Sequence, residues 1–293
     1  MQENRMLETA LGRVEIREAG TGPLLIAMHG HGYGSGPHNY AWLADELPGH
    51  RVVTLARPGY GRTPVATAPT FPEQGRLAIA IADALEVDKC VVLGASNGGP
   101  AALWAATEFP DRVAGAVFWC SVATPLIPPD APREIPSEEE MNSDHENFIS
   151  TYRAAVDLLS QPEVRFEGPI LAIAKSVLSD DEIDSVQSDP AFIARMRDYQ
   201  NGRILGAPGF DGMRNDEVEN LADGTRRRKL LTVPALVQHG DADKNVPIEH
   251  GRFLADLSNS VEMHVVKGGS HAFFLTFRNE TVDRLRDFLS RIS

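Results

Sequence analysis

The first third of the chain alternates between short apolar runs and amphipathic stretches. Four continuous apolar runs, typical of strands buried on both faces, are PLLIAMHG, HRVVTLARPG, KCVVLGAS and VAGAVFWCSVA. Between them, residues 73–87 have helical apolar spacing, and PAALWAATEFP also predicts a helix. GRVEIREAG alternates apolar and polar residues, which predicts an antiparallel strand. This alternation of strands and helices predicts an α/β fold: a mostly parallel sheet flanked by helices.

The pattern changes in the middle of the chain. Residues 125–136 contain five prolines, which predicts a stiff linker because proline fixes φ and restricts the residue before it. From about 137 to 205 the signals are helical only. One face of the first helix there carries five apolar side chains: Phe148, Tyr152, Ala155, Val156 and Leu159. Strand-like runs return at TVPALVQHG and VEMHVVKGG, and an amphipathic helix follows them. A helical block over 123–231 therefore interrupts an α/β core formed by residues 1–122 and 232–293.

Composition and charge restrict the class of protein. Of the 293 residues, 42% are hydrophobic and 24% are charged, a globular balance that excludes a disordered chain or a fibre. The net charge of −13 opposes binding to nucleic acid or to an anionic membrane, so a small-molecule substrate is the expected partner. The helical block holds 21 acidic and 12 basic residues, or −9 of the total. This excess predicts an exposed acidic face and a mild bias against anionic substrates.

The remaining composition points to the cytoplasm. Cys90 and Cys120 both lie in apolar runs, which predicts buried, reduced thiols rather than a disulfide framework. No apolar stretch approaches the roughly 20 residues that span a bilayer. The segment MQENRMLETALG has no apolar region typical of a signal peptide. The sequence indicates no oligomeric state.

The segment GASNGG, residues 94–99, contains a serine on a predicted strand-to-helix turn. A sharp turn there forces strained backbone angles on Ser96. Gly94 and Gly98 remove the two Cβ atoms that would crowd it, and the hydroxyl becomes exposed at the carboxyl edge of the sheet. The G-x-S-x-G spacing in this context predicts a nucleophilic serine.

A serine hydroxyl needs a base and an orienting acid to act as a nucleophile at neutral pH. His271, in KGGSHAFF, follows a strand and precedes the last helix, which brings it to the same sheet edge as Ser96. His29 and His239 also end strands, but each is expected to shape a loop. Asp241 and Asp243, in HGDADKNVP, both follow a strand and precede His271. The chain order is thus serine, aspartate, histidine.

An oxyanion hole requires two N–H groups beside the serine. One is expected from Asn97, the residue after the nucleophile. The other is expected from the loop HGHGYG, residues 29–34, whose glycines allow a tight approach.

Taken together, these segments resemble the α/β-hydrolase superfamily. The matching motifs are HG at 29–30, RPGYGRT at 57–63, GASNGG at 94–99, HGDADKNVP at 239–247 and GGSH at 268–271. The resemblance implies that Asp243 rather than Asp241 is the acid, and that His31 supplies the second oxyanion N–H. It also implies that the block at 123–231 is a helical cap inserted after the sixth strand. A serine rather than an aspartate nucleophile argues against haloalkane dehalogenase and epoxide hydrolase chemistry.

The expected function is therefore hydrolysis by acyl transfer, most simply of a carboxylic ester of a small uncharged substrate. C–C bond hydrolysis, amide hydrolysis and acyl transfer use the same residues and stay open, although HGHGYG differs from the HGGPG usual in proline iminopeptidases. A ligand receptor on a hydrolase fold is an alternative of another class, disfavoured because all three catalytic residue types are present. No cofactor is expected, and no metal, because His, Asp and Cys do not cluster at ligand spacing. The expected pocket residues are Gly30, Tyr33, Trp119 and Phe273.

Overall fold

A single eight-stranded sheet forms the centre of the molecule. The computed structural model describes residues 3–123, 136–206, 208–221 and 230–292. The strands are β1 (Arg5–Thr9), β2 (Gly12–Ala19), β3 (Leu24–Met28), β4 (Arg51–Leu55), β5 (Cys90–Ala95), β6 (Val113–Trp119), β7 (Ala235–Gly240) and β8 (Val261–Val266). Their order in the sheet is β1-β2-β4-β3-β5-β6-β7-β8. Strands β3 to β8 are parallel, whereas β2 is antiparallel to both β1 and β4. The carboxyl ends of six strands therefore meet at one edge.

Helices cover both faces of the sheet. They are α1 (Leu43–Glu46), α2 (Phe71–Ala84), α3 (Gly99–Glu108), α4 (Glu138–Leu159), α5 (Gly168–Val177), α6 (Asp180–Val186), α7 (Pro190–Leu205), α8 (Phe210–Leu221), α9 (Glu249–Ala255), α10 (Phe273–Thr276) and α11 (Arg278–Ile292). One core cluster joins Ile26 of β3 to apolar residues of α2, α3 and α9. The other joins its sequence neighbour Leu25 to α1, α11 and several of helices α4–α8. Neighbouring residues of a strand point to opposite faces, so the sheet is buried on both sides.

The sequence prediction of an α/β fold with a mostly parallel sheet and flanking helices is confirmed. Strand β1 was not predicted. Only Leu7 of its five residues is buried, so RMLET lacks the apolar run that marks the inner strands. Helix α2 begins at Phe71, two residues before the predicted start, because the side chains of Thr70 and Glu73 form a reciprocal N-terminal cap. Within the described ranges, no helix has the length and apolar character needed to cross a lipid bilayer.

Helices α4–α8, here called the inserted helices, lie between β6 and β7 in the chain, within the block predicted to be helical. Apart from Pro136, the predicted proline linker lies outside the described residues. The fully buried Asp216 of α8 joins these helices to the sheet. It forms a two-pronged ion pair with the equally buried Arg57, which follows β4, with Nη1 to Oδ1 at 2.9 Å. The Tyr60 hydroxyl donates to the same carboxylate at 2.7 Å. A charged pair thus fastens α8 to the loop after β4.

We expect Asp216→Asn to destabilise the fold strongly. The substitution leaves the Arg57 guanidinium buried without a counter-charge, which costs about 3–5 kcal/mol in comparable pairs. Urea-induced unfolding measures the effect. Asp211→Asn, an exposed position on the same helix, is the matched control and should change the free energy of unfolding by less than about 1 kcal/mol. Equal effects of the two substitutions would show that the buried pair does not stabilise the fold.

Candidate active site

Ser96 lies on a tight turn between β5 and α3, at the carboxyl edge of the sheet. Its φ of 50° is in the left-handed region, which is unusual for a residue other than glycine. A Cβ atom at Gly94 would lie 2.6 Å from the Gly98 carbonyl oxygen and 2.8 Å from the Ala102 Cβ. A Cβ atom at Gly98 would overlap the Met28 carbonyl oxygen. A Cβ atom at either glycine would therefore disrupt the close packing of this turn.

His271 brings the loop after β8 to this turn. Its Nε2 lies 3.1 Å from Ser96 Oγ, and its Nδ1 lies 2.9 Å from Asp243 Oδ2. The structure thus brings together the three residues that the sequence singled out as nucleophile, base and acid. Asp241, the other candidate acid, instead accepts a hydrogen bond from the Gly268 N–H at 2.6 Å. The resemblance-based choice of Asp243 agrees with this geometry.

Asp243 is held as a buried carboxylate. Its Oδ1 accepts hydrogen bonds from the N–H groups of Asn245 and Val246, both at 2.9 Å. Burial alone raises the pKa of Asp243, but hydrogen bonds with His239 and His271 outweigh this effect and lower the pKa below its ordinary value. The carboxylate is therefore ionised at neutral pH and can accept from the Nδ1–H of His271. When the imidazole is neutral and its proton lies on Nδ1, Nε2 carries the lone pair that faces the serine hydroxyl.

Cys120, at the end of β6, is a third neighbour of the imidazole. It is buried, and its φ of 40° is again left-handed. Burial lowers the pKa of His271, but the Cys120 sulfur and the Asp243 carboxylate raise it, with a net pKa of about 10 against an ordinary 6.5. The ligand-type atoms of Cys120, Asp243 and His271 lie within 4.8 Å of one another, a cluster that could hold a metal ion. Sequence spacing gave no sign of this cluster because its members follow three different strands.

The loop after β3 passes directly beside the serine. A Cβ atom at Gly30 would lie only 2.7 Å from Ser96 Cβ, so this position also needs glycine. The buried His29 shapes the loop as the sequence predicted: its Nδ1 lies 2.7 Å from the Gly30 oxygen, and its Nε2 accepts from the Arg57 N–H at 3.0 Å. Burial, followed by the charge of Arg57, lowers the pKa of His29 to about 3, so its ring is neutral. The ring therefore donates from Nδ1 and accepts at Nε2.

His31 extends from the same loop towards the inserted helices. Its Nδ1 lies 3.4 Å from Asp216 Oδ2, and its Nε2 lies 3.8 Å from Glu217 Oε1. Both carboxylates belong to α8. The side chain of the residue expected to supply an oxyanion N–H thus lies against the helix that carries Asp216.

A cavity of about 300 Å³ opens above Ser96 and His271. This is near the lower end of the range for ligand pockets. Gly30, one of the residues expected in the pocket, contributes to its lining, and so do His31 and Asn97, the residues expected to supply the oxyanion N–H groups. Asn97 is 2% exposed, and neither polar atom of its side chain has a hydrogen-bond partner in the described part of the chain.

Three residues expected in the pocket do not line this cavity. The Tyr33 hydroxyl donates to the Met141 carbonyl oxygen at 3.2 Å, and its ring packs among aromatic residues of the inserted helices. Trp119 is fully buried and donates from Nε1 to Gln238 Oε1 at 2.7 Å. Phe273 is fully buried in the core, and its neighbour Phe274 lines the cavity instead. These three aromatic side chains therefore serve packing.

The inserted helices supply lining residues that the sequence analysis did not identify. Tyr152 comes from α4, and Tyr199, Gln200 and Arg203 come from α7. Helical periodicity predicted both helices, but it did not indicate which positions face a cavity. Chemically, the site combines a serine hydroxyl, a histidine in contact with it and an ionised acid behind the histidine. That arrangement can activate the hydroxyl for attack on a carbonyl carbon.

Comparison with known proteins gives a family. A family model described as alpha/beta hydrolase fold matches residues 23–277, most of the chain. Among solved structures, an alpha/beta hydrolase fold protein from Nakamurella multipartita has a TM-score of 0.74 at 23% identity, covering 98% of this chain and 99% of the other.

Curated relatives match at low identity. The pimeloyl-[acyl-carrier protein] methyl ester esterase of Xylella fastidiosa is 27% identical over 283 residues, covering 94% of this chain and 99% of the relative. The uncharacterized hydrolase YcgS of Bacillus subtilis is 29% identical, but that match covers only 35% of this chain and 36% of the relative.

Proposed function

The chain belongs to the alpha/beta hydrolase family, and from this premise we propose that it is a serine hydrolase that cleaves small carboxylic esters by acyl transfer. The observation that carries the proposal is the hydrogen-bonded series from Ser96 Oγ to His271 Nε2 at 3.1 Å and from His271 Nδ1 to Asp243 at 2.9 Å. A base in contact with the nucleophile, itself oriented by an acid, is the requirement for serine activation. The esterase relative from Xylella fastidiosa supports an ester as the first substrate to test.

The reaction proceeds in two halves. His271 takes the proton of Ser96 as the serine oxygen attacks the ester carbonyl carbon, and Asp243 stabilises the charged imidazole. The backbone N–H groups of His31 and Asn97 stabilise the oxyanion, each by about 3 kcal/mol. His271 then gives its proton to the departing alcohol. Water activated by the same imidazole attacks the acyl-serine and releases the acid.

The inserted helices act as a cap in this proposal. Residues 123–231 form the cap, and residues 1–122 and 232–293 form the catalytic core. The contribution of α4, α5, α7 and α8 to the cavity lining supports this division, because side chains from each of them face the space above Ser96. The cap therefore limits the size of the acyl group.

Hydrolysis of p-nitrophenyl esters of increasing acyl length tests the proposal. We expect turnover by the wild type and a loss of about a thousandfold or more in Ser96→Ala, since the nucleophile is removed. Ser150→Ala, an exposed position on α4, is the control and should retain full activity. Ser96→Ala that keeps most of the activity would contradict a serine mechanism. A wild type inactive on every ester would reject the ester assignment and make amides and C–C bonds the next substrates to test.

The two candidate acids provide a matched pair of substitutions. Asp243→Asn should lower kcat by about 10⁴-fold, because the amide favours the wrong tautomer of His271. Asp241→Asn removes a carboxylate only two residues away that bonds to the Gly268 N–H, so kcat should stay within about threefold of the wild type. Measuring kcat for both variants shows which of the two carboxylates assists His271. A larger loss in Asp241→Asn would reject Asp243 as the acid.

The raised pKa of His271 predicts an alkaline pH profile. The imidazole must be neutral to accept the serine proton, so kcat/KM should fall with decreasing pH through an ionisation above the ordinary histidine value of 6.5. Cys120→Ala removes one cause of the raised pKa and should move this limb to lower pH. Cys90→Ala changes the other free cysteine, which lies in the opposite core cluster, and should leave the position of this limb unchanged. Rates for a simple methyl ester in a pH-stat measure the profile. If the acidic limb of the pH profile does not move in Cys120→Ala, the Cys120 sulfur does not raise the pKa of His271.

A further inference from the structure

Arg203 of α7 is a positive charge in the cavity lining without a carboxylate partner. Two other arginines of the same helix are paired, Arg195 with Asp189 at 3.7 Å and Arg197 with Asp198 at 3.3 Å. Among the residues that the structure describes, no acidic oxygen lies within 4.0 Å of the Arg203 guanidinium. A half-buried cation without a counter-ion is costly unless something else compensates its charge.

The protein fixes the position of this guanidinium but uses only part of its hydrogen-bonding capacity. Nε and Nη2 both donate to the Tyr33 carbonyl oxygen, at 3.0 and 2.7 Å. The rings of Phe148 and Tyr152 lie 5.2 and 5.5 Å from the guanidinium carbon. A guanidinium carries five N–H donors, and these contacts account for two of them. The Tyr33 carbonyl thus positions the group, and three of its N–H donors remain for a ligand or solvent.

The neighbouring polar side chains on α7 are also incompletely satisfied. Gln200, one helical turn before Arg203, lines the cavity and is 3% exposed, and its Oε1 has no partner within the described ranges. Tyr199 accepts a hydrogen bond from Asn39 Nδ2 at 3.2 Å, which leaves its own O–H free to donate into the lining. Buried polar groups in native proteins are nearly always paired. These groups therefore indicate a polar ligand at this end of the cavity.

The charge of the cavity differs from that of the surrounding surface. The −9 of residues 123–231 favoured an uncharged substrate, but exposed charges are screened over about 8–10 Å in salt solution. Inside a cavity the screening is weaker, so nearby charges dominate. Glu217 is the single acidic residue in the described lining, and it faces His31. The end of the cavity formed by α7 is consequently positive.

We propose that the substrate carries a carboxylate and that Arg203, assisted by the hydroxyl of Tyr199, binds it while Ser96 attacks the ester carbonyl; the Gln200 Oε1 would accept from a donor elsewhere on the ligand. The proposal rests on the hydrolase function proposed above and replaces the uncharged substrate expected from sequence. A guanidinium matches the planar geometry of a carboxylate. A phosphate dianion fits less well, because one guanidinium would neutralise only one of its two charges.

Two esters of equal length test the proposal. The p-nitrophenyl monoester of glutaric acid carries a free carboxylate, and its methyl ester is the neutral counterpart. We expect the wild type to show a higher kcat/KM for the anionic ester, by about tenfold to a hundredfold, the usual effect of a hydrogen bond to a charged group. Arg203→Gln should remove this preference, mainly by raising KM for the anionic ester. The neutral ester should lose less than the anionic ester, because its loss comes only from the hydrogen bonds to the Tyr33 carbonyl.

The control variants distinguish recognition of the carboxylate by Arg203 from support of the Tyr33 loop by the same side chain. Arg197→Gln makes the same charge change on α7, where the side chain is 38% exposed, and should keep the preference. Arg203→Lys keeps the charge but not the planar fork, and should keep part of the preference. If Arg203 only supports the Tyr33 loop, Arg203→Gln should lose activity equally on both esters. That result would overturn the proposal. Equal kcat/KM values in the wild type would also overturn it.

Two further measurements keep the test decisive. If Arg203→Gln does not fold, inhibition of the wild type on the neutral ester replaces it. Glutarate should inhibit more strongly than the uncharged glutaramide, and equal inhibition would overturn the proposal. If the wild type hydrolyses neither ester, the proposed function fails, and calorimetric titration with glutarate then tests the site alone. Glutarate binding that is lost in Arg203→Gln would support the carboxylate site, and absence of binding to the wild type would overturn it.

Discussion

The left-handed backbone at Ser96 is the constraint on which the rest of the site depends. A residue in this conformation carries strain of about 1–3 kcal/mol and persists only where its surroundings enforce it. Here the enforcing contacts come from the backbone: Gly98 packs against the Met28 carbonyl, and Gly30 packs against Ser96 itself. Strands β3 and β5 are neighbours in the sheet, so the loop after β3 necessarily passes beside the turn after β5. The hydroxyl and the loop expected to supply the oxyanion N–H are therefore brought together by sheet topology.

The central part of the fold could be predicted because parallel strands buried on both faces leave continuous apolar runs. Strand β1, at the edge, leaves no such run, and it was missed. The three residues expected to form the triad could be named because each follows a strand, and all parallel strands end at the same edge. The choice between Asp241 and Asp243 depended on family resemblance, since two residues of one loop cannot be ranked by their spacing. Their different hydrogen bonds, to Gly268 and to His271, come from the fold of that loop.

The cavity lining could not be predicted in the same way. Periodicity located α7, but the rotation of the helix about its axis depends on its packing against α4 and the core. That rotation decides that Gln200 and Arg203 face the cavity. The expected pocket aromatics lie outside the cavity lining for the related reason that large rings often pack in the core: Trp119 stacks between Trp42 and Phe274 at ring distances of 5.9 Å. A strand-end position was therefore a poor guide to which aromatic side chain lines the cavity.

Net charge was the least informative property, because the charges that organise this site are buried. Asp216 contacts both Arg57 of the core and His31 of the loop beside Ser96. The packing of α8 and the position of that loop are consequently not independent. A rearrangement of α8 that moved Asp216 would leave Arg57 uncompensated and would also withdraw a partner of His31. The ion pair opposes such a movement with the full desolvation cost of a buried charge. The inserted helices thus contact the loop beside Ser96 and also contribute to the cavity lining.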